Sequence, residues 1–300
     1  MKYIIAGKSE AKGIKGDDSH ELNKYFELGW EVVGSRLDSI RYLKTGKLNN
    51  DDTTIVTIKD RMFMYSSIFK NVMSYNDFLE NKENGKLIDP KIEDWVEKLD
   101  FLFLNNDKNS LFWENYDSSV RSNSKYSRYN EDYDEITNGF EKNYSILEKL
   151  KKNEKYYVAC LRFRDHCDFR SSPQEWWDNL FKKMIEKSEA KIFLVGHGSE
   201  RFIKNDNMKY IEKLQDYVTL IQDDRCKAVI AQSTGTCGLA FSASKAPIHW
   251  IDHANVSFIY ENNAVMGGNC AIFTKNHIFK YGSDKMNENG INEIIFRIID

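Results

Sequence analysis

Between residues 156 and 252 the sequence repeats one pattern: an apolar run that stops at a cluster of polar residues or glycines. YYVACLRFRD at 156–165 closes on Arg162 and Arg164, and KIFLVGHGSE at 191–200 closes on His197 between Gly196 and Gly198. CKAVIAQSTGTCG at 226–238 closes on Ser233, Thr234, Gly235 and Thr236, and APIHWID at 246–252 closes on Asp252. Apolar runs of this length, alternating with helical segments, constrain the chain to an open, mostly parallel α/β sheet. Such sheets bind ligands outside the carboxyl ends of their strands. Here those ends offer guanidinium groups, hydroxyls and backbone amides, which suit an anionic, phosphate-bearing ligand such as a nucleotide or nucleotide-sugar.

The other helices and strands fit the same architecture. In the first half, residues 3–6 and TTIVTIKD (53–60) read as strands, as does EVVGS at 31–35. HELNKYFELGW (20–30) carries Leu22, Tyr25, Phe26, Leu28 and Trp30 at near-helical spacing. SSIFKNVMSYNDFLE (66–80) fits either strand or helix, and DPKIEDWVEKLDFLFLNN (89–106) reads as a helix opened by Asp89 and Pro90 that runs into a strand at 101–104. In the second half, a strand at 156–163 precedes a helix over 173–187 with Ser172 as N-cap and Pro173 at its first position. A strand at 191–195, a helix within 207–214, strands at 217–221 and 228–231, a small-residue helix from Gly235 and a buried IHWID strand follow.

The 300 residues, 41% hydrophobic and 13% aromatic, allow one large domain or two of ordinary size with a real core. Residues 115–139 break the pattern with a run rich in Ser, Asn, Tyr and charge, which suggests a connection. The expected organisation is therefore an N-terminal α/β domain over 1–115, a linker over 116–150 and a C-terminal domain over 151–300. A net charge of -3 gives no global basic surplus that would advertise nucleic-acid binding. The apolar run in MKYIIAGKSEAKG is too short for a signal peptide, and no stretch is long enough to span a bilayer. The five cysteines are scattered without a CxxC pair, as expected of reduced thiols in a cytoplasmic protein without a structural zinc site.

These residues carry a resemblance. Two α/β halves with ligand signals in the second resemble GT-B-type glycosyltransferases, in which two Rossmann-like domains face each other across a cleft. LRFRD at 161–165 is similar to the basic motif with which fucosyltransferases grip a donor diphosphate. IAQSTGTCGLAFSASKAPIHWID resembles the hydroxyl-bearing turn and small-residue helix near the donor in both fucosyl- and heptosyltransferases. GDDSHEL at 16–22 resembles the Gly-Asp-x-x-His loop of heptosyltransferases, which implies that Asp17 is the general base. The resemblance implies an inverting, metal-independent transfer of a sugar from a nucleotide-diphosphate donor to an acceptor hydroxyl. No resident cofactor is expected, the nucleotide sugar being a co-substrate.

Each candidate also has a plainer reading. Arg162 and Arg164 alternate along one strand and suit a diphosphate leaving group, or they pair with Asp165 or Asp168. His197 and Gly198 touch a base or ribose, or form an ordinary tight turn. Ser233, Thr234, Gly235 and Thr236 cradle phosphate at a helix N-terminus, or only cap it. Gln222 and Asp223, with Asp224, read as the end of a strand that meets a ribose or base, or as turn caps, and they lack the D-x-D spacing of metal-dependent sugar transferases. Asp17, Asp18, His20 and Glu21 offer a base on the acceptor side, and Lys8, Lys12 and Lys15 suit an anionic acceptor. A glycan or lipid-linked sugar is the default acceptor. Arg121, Lys125 and Arg128, interleaved with Tyr126 and Tyr129, also suit nucleic acid, so a DNA-modifying sugar transferase is a further reading. Another nucleotide-sugar enzyme, of epimerase or pyruvyl transferase type, and a non-catalytic binding module complete the alternatives.

Overall fold

The β-branched run TTIVT is buried at every position, as a strand covered on both faces must be. In the computed structural model it is the second strand of a four-stranded parallel sheet. The structure describes residues 1–7, 28, 31–32, 36–44, 46–88, 90–94, 138–163, 172–189, 191–196, 198–203, 206–232, 234–252 and 278–299. The chain divides into two units, Met1–Glu141 and Lys142–Asp300.

The first unit comprises β1 (Lys2–Ile5), α1 (Arg36–Lys44), β2 (Thr53–Thr57), β3 (Asn71–Ser74), α2 (Tyr75–Glu83) and β4 (Lys91–Asp94) among its described residues. The strands run in the order β3-β2-β1-β4, all parallel. Tyr3, Ile5, Val56, Ile58, Tyr75 and Phe78 form a core on one face. The 66–80 segment resolves into a strand followed by a helix, with Ser74 as the hinge: its hydroxyl accepts the Asp77 amide at 3.1 Å and caps α2.

Two expectations for this unit are corrected. Residues 91–94 form a strand rather than a helix, because they pair residue for residue with Lys2–Ile5 and Pro90 lies just outside the ladder. Glu31 and Val32 are helical rather than extended. Glu31 is fully buried and is held by Thr57 Oγ1 at 2.5 Å and Arg61 Nη1 at 2.8 Å, which outweighs the β propensity of the valines. Of the expected 20–30 helix only Leu28 is described, and it is helical. The expected strand at 101–104 and residues 116–137 lie outside the described residues.

The second unit contains α3 (Ser145–Glu148), β5 (Tyr156–Cys160), α4 (Gln174–Ser188), β6 (Lys191–Val195), β7 (Met208–Tyr210), α5 (Leu214–Ile221), β8 (Cys226–Gln232), α6 (Gly235–Ala243), β9 (Ile248–Asp252), β10 (Ile278–Gly282) and α7 (Glu288–Ile299). Its six strands are parallel in the order β10-β9-β8-β5-β6-β7. Trp176, Trp177, Leu180, Phe181 and Met184 of α4 pack with Ile291, Ile294 and Ile295 of α7 over Tyr157, Ala159, Ile192, Leu194 and Ile230. Helices α5 and α6 cover the opposite face, where Tyr156 donates to the Leu220 carbonyl at 2.8 Å.

Here too the structure departs from the expected pattern. Residues 208–210 are a strand and 214–221 a helix, the reverse of the expectation. Tyr217, Val218, Thr219, Leu220 and Ile221 are all buried, and a short apolar run of this kind reads alike as a buried strand or a buried helix turn. Strand β5 ends at Cys160, three residues before the expected 163. Pro173, with extended backbone, is the N-cap of α4, and the Ser172 hydroxyl accepts a hydrogen bond from Gln232 instead of capping.

One buried histidine carries a pH dependence. His249 of β9 is 1% exposed, stacks on Phe279 and Tyr281, and has Nδ1 3.0 Å from the Tyr281 hydroxyl. Burial, helped by the Arg297 guanidinium, holds its pKa down to about 4. Between the ordinary histidine pKa near 6.5 and that value, the unfolded chain binds a proton that the folded one refuses. Stability therefore falls as pH drops through this window, by about 3 kcal/mol in total. Chemical denaturation at pH 7, 5.5 and 4.5 should show this loss in the wild type and a flatter profile in His249→Gln. Parallel profiles would show that His249 contributes nothing to it.

Candidate functional site

In the second unit the chain builds β6 and β7 on one side of β5, then returns to lay β8, β9 and β10 on the other side. The direction of winding reverses between β5 and β8, and in an open parallel sheet the crevice at such a reversal is where ligands bind. The candidate site residues are therefore those that leave these two strands. Leu161 keeps the last β-type contact of the β5 exit, its amide donating to the Val195 carbonyl at 2.8 Å. The next amide, that of Arg162, donates to Gln232 Oε1 at 2.9 Å, and Gln232 Nε2 donates to Ser172 Oγ at 3.4 Å. Arg162 is itself buried, at 7% exposure.

Two residues beyond Gln232 the chain enters α6. Thr234 is the N-cap, extended at φ −144° and ψ 172°, and its Oγ1 accepts the Thr236 amide at 3.1 Å. Small residues (Gly235, Gly238, Ala240, Ser242, Ala243) let α6 sit close to the sheet. A tyrosine on α5 ties this helix start to β5: Cys160 Sγ donates to the Tyr217 hydroxyl at 2.8 Å, which donates to the Thr236 carbonyl at 3.1 Å. Burial pushes the Cys160 thiol up to about 12, so it remains protonated and serves as a donor, not a nucleophile.

The loop after β6 crosses directly over the β5 exit. Gly196 has φ +109°, and a Cβ there would lie 2.1 Å from the Leu161 carbonyl oxygen. Gly198 has φ +78°, and its Cβ would lie 2.8 Å from Cβ of Phe163. Both glycines are thus required by backbone conformation and by the close crossing of two chain segments.

The structure brings Arg162, Thr234, Gly235 and Thr236 to the switch region, with Gly198 packed against the β5 exit. It sends Gln222 and Asp223 elsewhere. They follow helix α5 rather than a strand, because the expected strand is helical, and they lie beside Tyr156 and Cys226, which begin β5 and β8 at the amino edge of the sheet. Asp223 is committed to Arg225, whose Nε and Nη2 donate to its two oxygens at 2.7 and 3.2 Å. Burial pushes the Asp223 carboxyl up, but these hydrogen bonds outweigh it and hold the group below its ordinary range. Asp17, Arg164, His197 and Ser233 lie outside the described residues, as do Asp18, His20, Glu21, Lys8, Lys12, Lys15 and the basic–aromatic run 121–129.

Gln232, Ser172 and Tyr217 were not among the expected site residues. Gln232 had a signal, since it is the polar residue that closes the apolar AVIA run. Tyr217 had none, because its partner Cys160 is remote in sequence. Among the described residues no group of three His, Cys, Asp or Glu side chains is placed to hold a metal ion. No described helix is long and apolar enough to cross a membrane.

The fold is that of the GT-B glycosyltransferases, α/β throughout with parallel sheets in both units. Among solved structures the chain is similar to E. coli ADP-heptose lps heptosyltransferase II, with TM-score 0.55 and 10% identity over 98% of this chain and 96% of that one. It is also similar to the E. coli heptosyltransferase WaaC with ADP, with TM-score 0.51 and 11% identity over 99% of both chains. No protein-family model and no curated protein sequence matches the chain.

The crossing of the two loops makes a direct prediction. Gly196→Ala combines an unfavourable φ with a backbone clash and should cost about 2 kcal/mol or more of stability. Gly46→Ala shares the positive φ but meets nothing within 4 Å, and should cost about 1 kcal/mol. Equal losses in thermal denaturation would mean that the crossing is not tight in solution.

Proposed function

We propose that the chain is a glycosyltransferase that moves a sugar from a nucleotide-diphosphate donor to an acceptor hydroxyl. The observation that carries this reading is that buried Arg162 and the N-terminus of α6 follow β5 and β8, the neighbouring strands at the reversal point of a parallel sheet. A guanidinium and the amides of a helix start both attract a diphosphate, and both gain strength where water is scarce. The fold shared with heptosyltransferases points the same way, one of them solved with ADP and the other an ADP-heptose lps heptosyltransferase.

In the proposed reaction an acceptor oxygen attacks the anomeric carbon of the donor as the bond from that carbon to the β-phosphate oxygen breaks. The nucleoside diphosphate leaves with the electron pair of that bond, and the acceptor proton passes to a base. Arg162 and Arg164 stabilise the departing diphosphate, and the 233–236 turn holds phosphate or ribose, with His197 toward the base or ribose. Asp17 is assigned the base. It lies in the segment after β1, the strand flanked by β2 and β4 where the winding of the first sheet reverses. Single displacement with inversion and charge stabilisation by the arginines rather than a metal follow from the fucosyl and heptosyl resemblance. A glycan or lipid-linked acceptor fits this chemistry, and the free buried thiols Cys160, Cys226 and Cys237 suit a reducing cytoplasm.

Calorimetric titration with ADP, GDP, UDP, CMP and dTDP tests the reading. One diphosphate should bind, and Arg162→Ala should weaken it by about 10- to 100-fold, the worth of a hydrogen bond to a charged group. The matching nucleotide sugar should be slowly hydrolysed or transferred. Absence of binding by every nucleotide at millimolar concentration would sink the proposal.

A further inference from the structure

We propose that Gln232 is a positioning residue of the diphosphate site, the part that fixes Arg162 against the start of α6; this rests on the donor-site reading above. The last paired residues of β5 and β8 are Cys160 and Ala231, and the last amide of the β5 exit to find a β6 carbonyl is that of Leu161. One residue later the ladder on both sides has ended. The Arg162 amide needs an acceptor in a buried position, and the side chain of Gln232 supplies it at 2.9 Å.

A side-chain amide does more here than a backbone carbonyl would. Oε1 takes the Arg162 amide while Nε2 donates to Ser172, 3.4 Å away, so one group holds the chain at both Arg162 and Ser172. Those residues bracket the segment that contains Arg164. Gln232 is 1% exposed and stands two residues before the N-cap Thr234, so its own backbone is continuous with the helix start. It therefore connects the two sources of positive potential in the proposed site, Arg162 and the start of α6. A site of this kind depends on its donors being held in place before the ligand arrives.

Asparagine is too short to span Arg162 and Ser172 together, and methionine fills the volume without either hydrogen bond. The test is a binding comparison using the nucleoside diphosphate found in the nucleotide screen and its parent nucleoside as probes. Gln232→Met should weaken the diphosphate about tenfold and leave the nucleoside unchanged, because only the phosphates meet the turn. Ser172→Ala should give a smaller loss with the same selectivity. The double variant Arg162→Ala/Gln232→Met should bind the diphosphate no worse than Arg162→Ala alone, since the glutamine acts through Arg162.

A role confined to folding would lower the melting temperature without changing the ratio of diphosphate to nucleoside affinity, and that result overturns the inference. So does a Gln232→Met loss that adds in full to that of Arg162→Ala. If Gln232→Met does not fold, Ser172→Ala decides alone: a selective loss supports the coupling and an unchanged ratio refutes it. If wild-type protein binds no diphosphate, the donor-site reading falls and this inference with it. Normal wild-type binding with an unaffected ratio in the variants overturns the glutamine's role only.

Discussion

The parallel pairing of β5 with β6 on one edge and with β8 on the other is the constraint on which the second unit depends. Two strands that run in the same direction cannot be joined by a tight turn, so each pairing requires a crossover, and the crossovers place helices on both faces of the sheet. The same pairing aligns the carboxyl ends of β5 and β8 and leaves their exits to diverge. In an open parallel sheet the crevice lies at such a reversal, and it is lined by the next few positions of the sequence. Here those positions hold Arg162, Gln232 and Thr234.

The core explains how such a site stays in place. On one face α4 and α7 bury two tryptophans and several branched residues against β5, β6 and β8. On the other, a chain of hydrogen bonds from Cys160 through Tyr217 to Thr236 joins strand, helix and helix start. The apolar face supplies most of the stabilising free energy, and the polar chain fixes where α6 begins along the sheet. A hydroxyl in that position has little effect on stability while both its partners are made, and costs about 1–3 kcal/mol if a buried partner is orphaned. The first unit uses a related device with charge: Glu31, 0% exposed, receives both Arg61 and Thr57. That carboxylate has its hydrogen-bonding capacity taken up by the fold. Buried pairs of this type add little net stability but are costly to break, which makes them specifiers of geometry.

Much of this architecture was legible in the sequence, and what failed has physical causes. KIFLV and IHWID read as strands because their apolar runs are short and bounded by turn residues, and both are strands. The GTCGLAFSA helix was legible from its composition and from Thr234 as a cap. The 207–221 region reads wrongly because Tyr217–Ile221 is a short run buried at every position, and over five residues a buried strand and a buried helix turn look alike. The strand at 91–94 was missed because its partner, Lys2–Ile5, is remote in sequence and local propensity cannot see a ladder. Misreading 217–221 as a strand also placed Gln222 and Asp223 at a strand end, whereas they close a helix at the far edge of the sheet. Arg162 and Thr234–Thr236 could be placed just beyond β5 and β8 from the sequence because their signal is local: a charge or hydroxyls just after an apolar run.

Net charge says little about a site of this kind. The chain carries a formal charge of -3, yet the proposed ligand is itself anionic. What matters is the local field, and three features raise it at the switch point. The Arg162 guanidinium belongs to a residue only 7% exposed, so water screens it weakly. The start of α6 carries the positive end of the helix dipole, with the Thr236 and Cys237 amides already held by Thr234. No acidic residue occurs between Lys227 and Ala246, so the segment that carries β8 and α6 adds no opposing charge of its own. Asp223, the nearest preceding acid but one, is at the other edge of the sheet and neutralised by Arg225. A site built on a buried arginine and a helix start, in a chain of net negative charge, favours a small anion over a polyanion. For the proposed ligand, the position where the strands reverse therefore matters more than the number of basic residues in the chain.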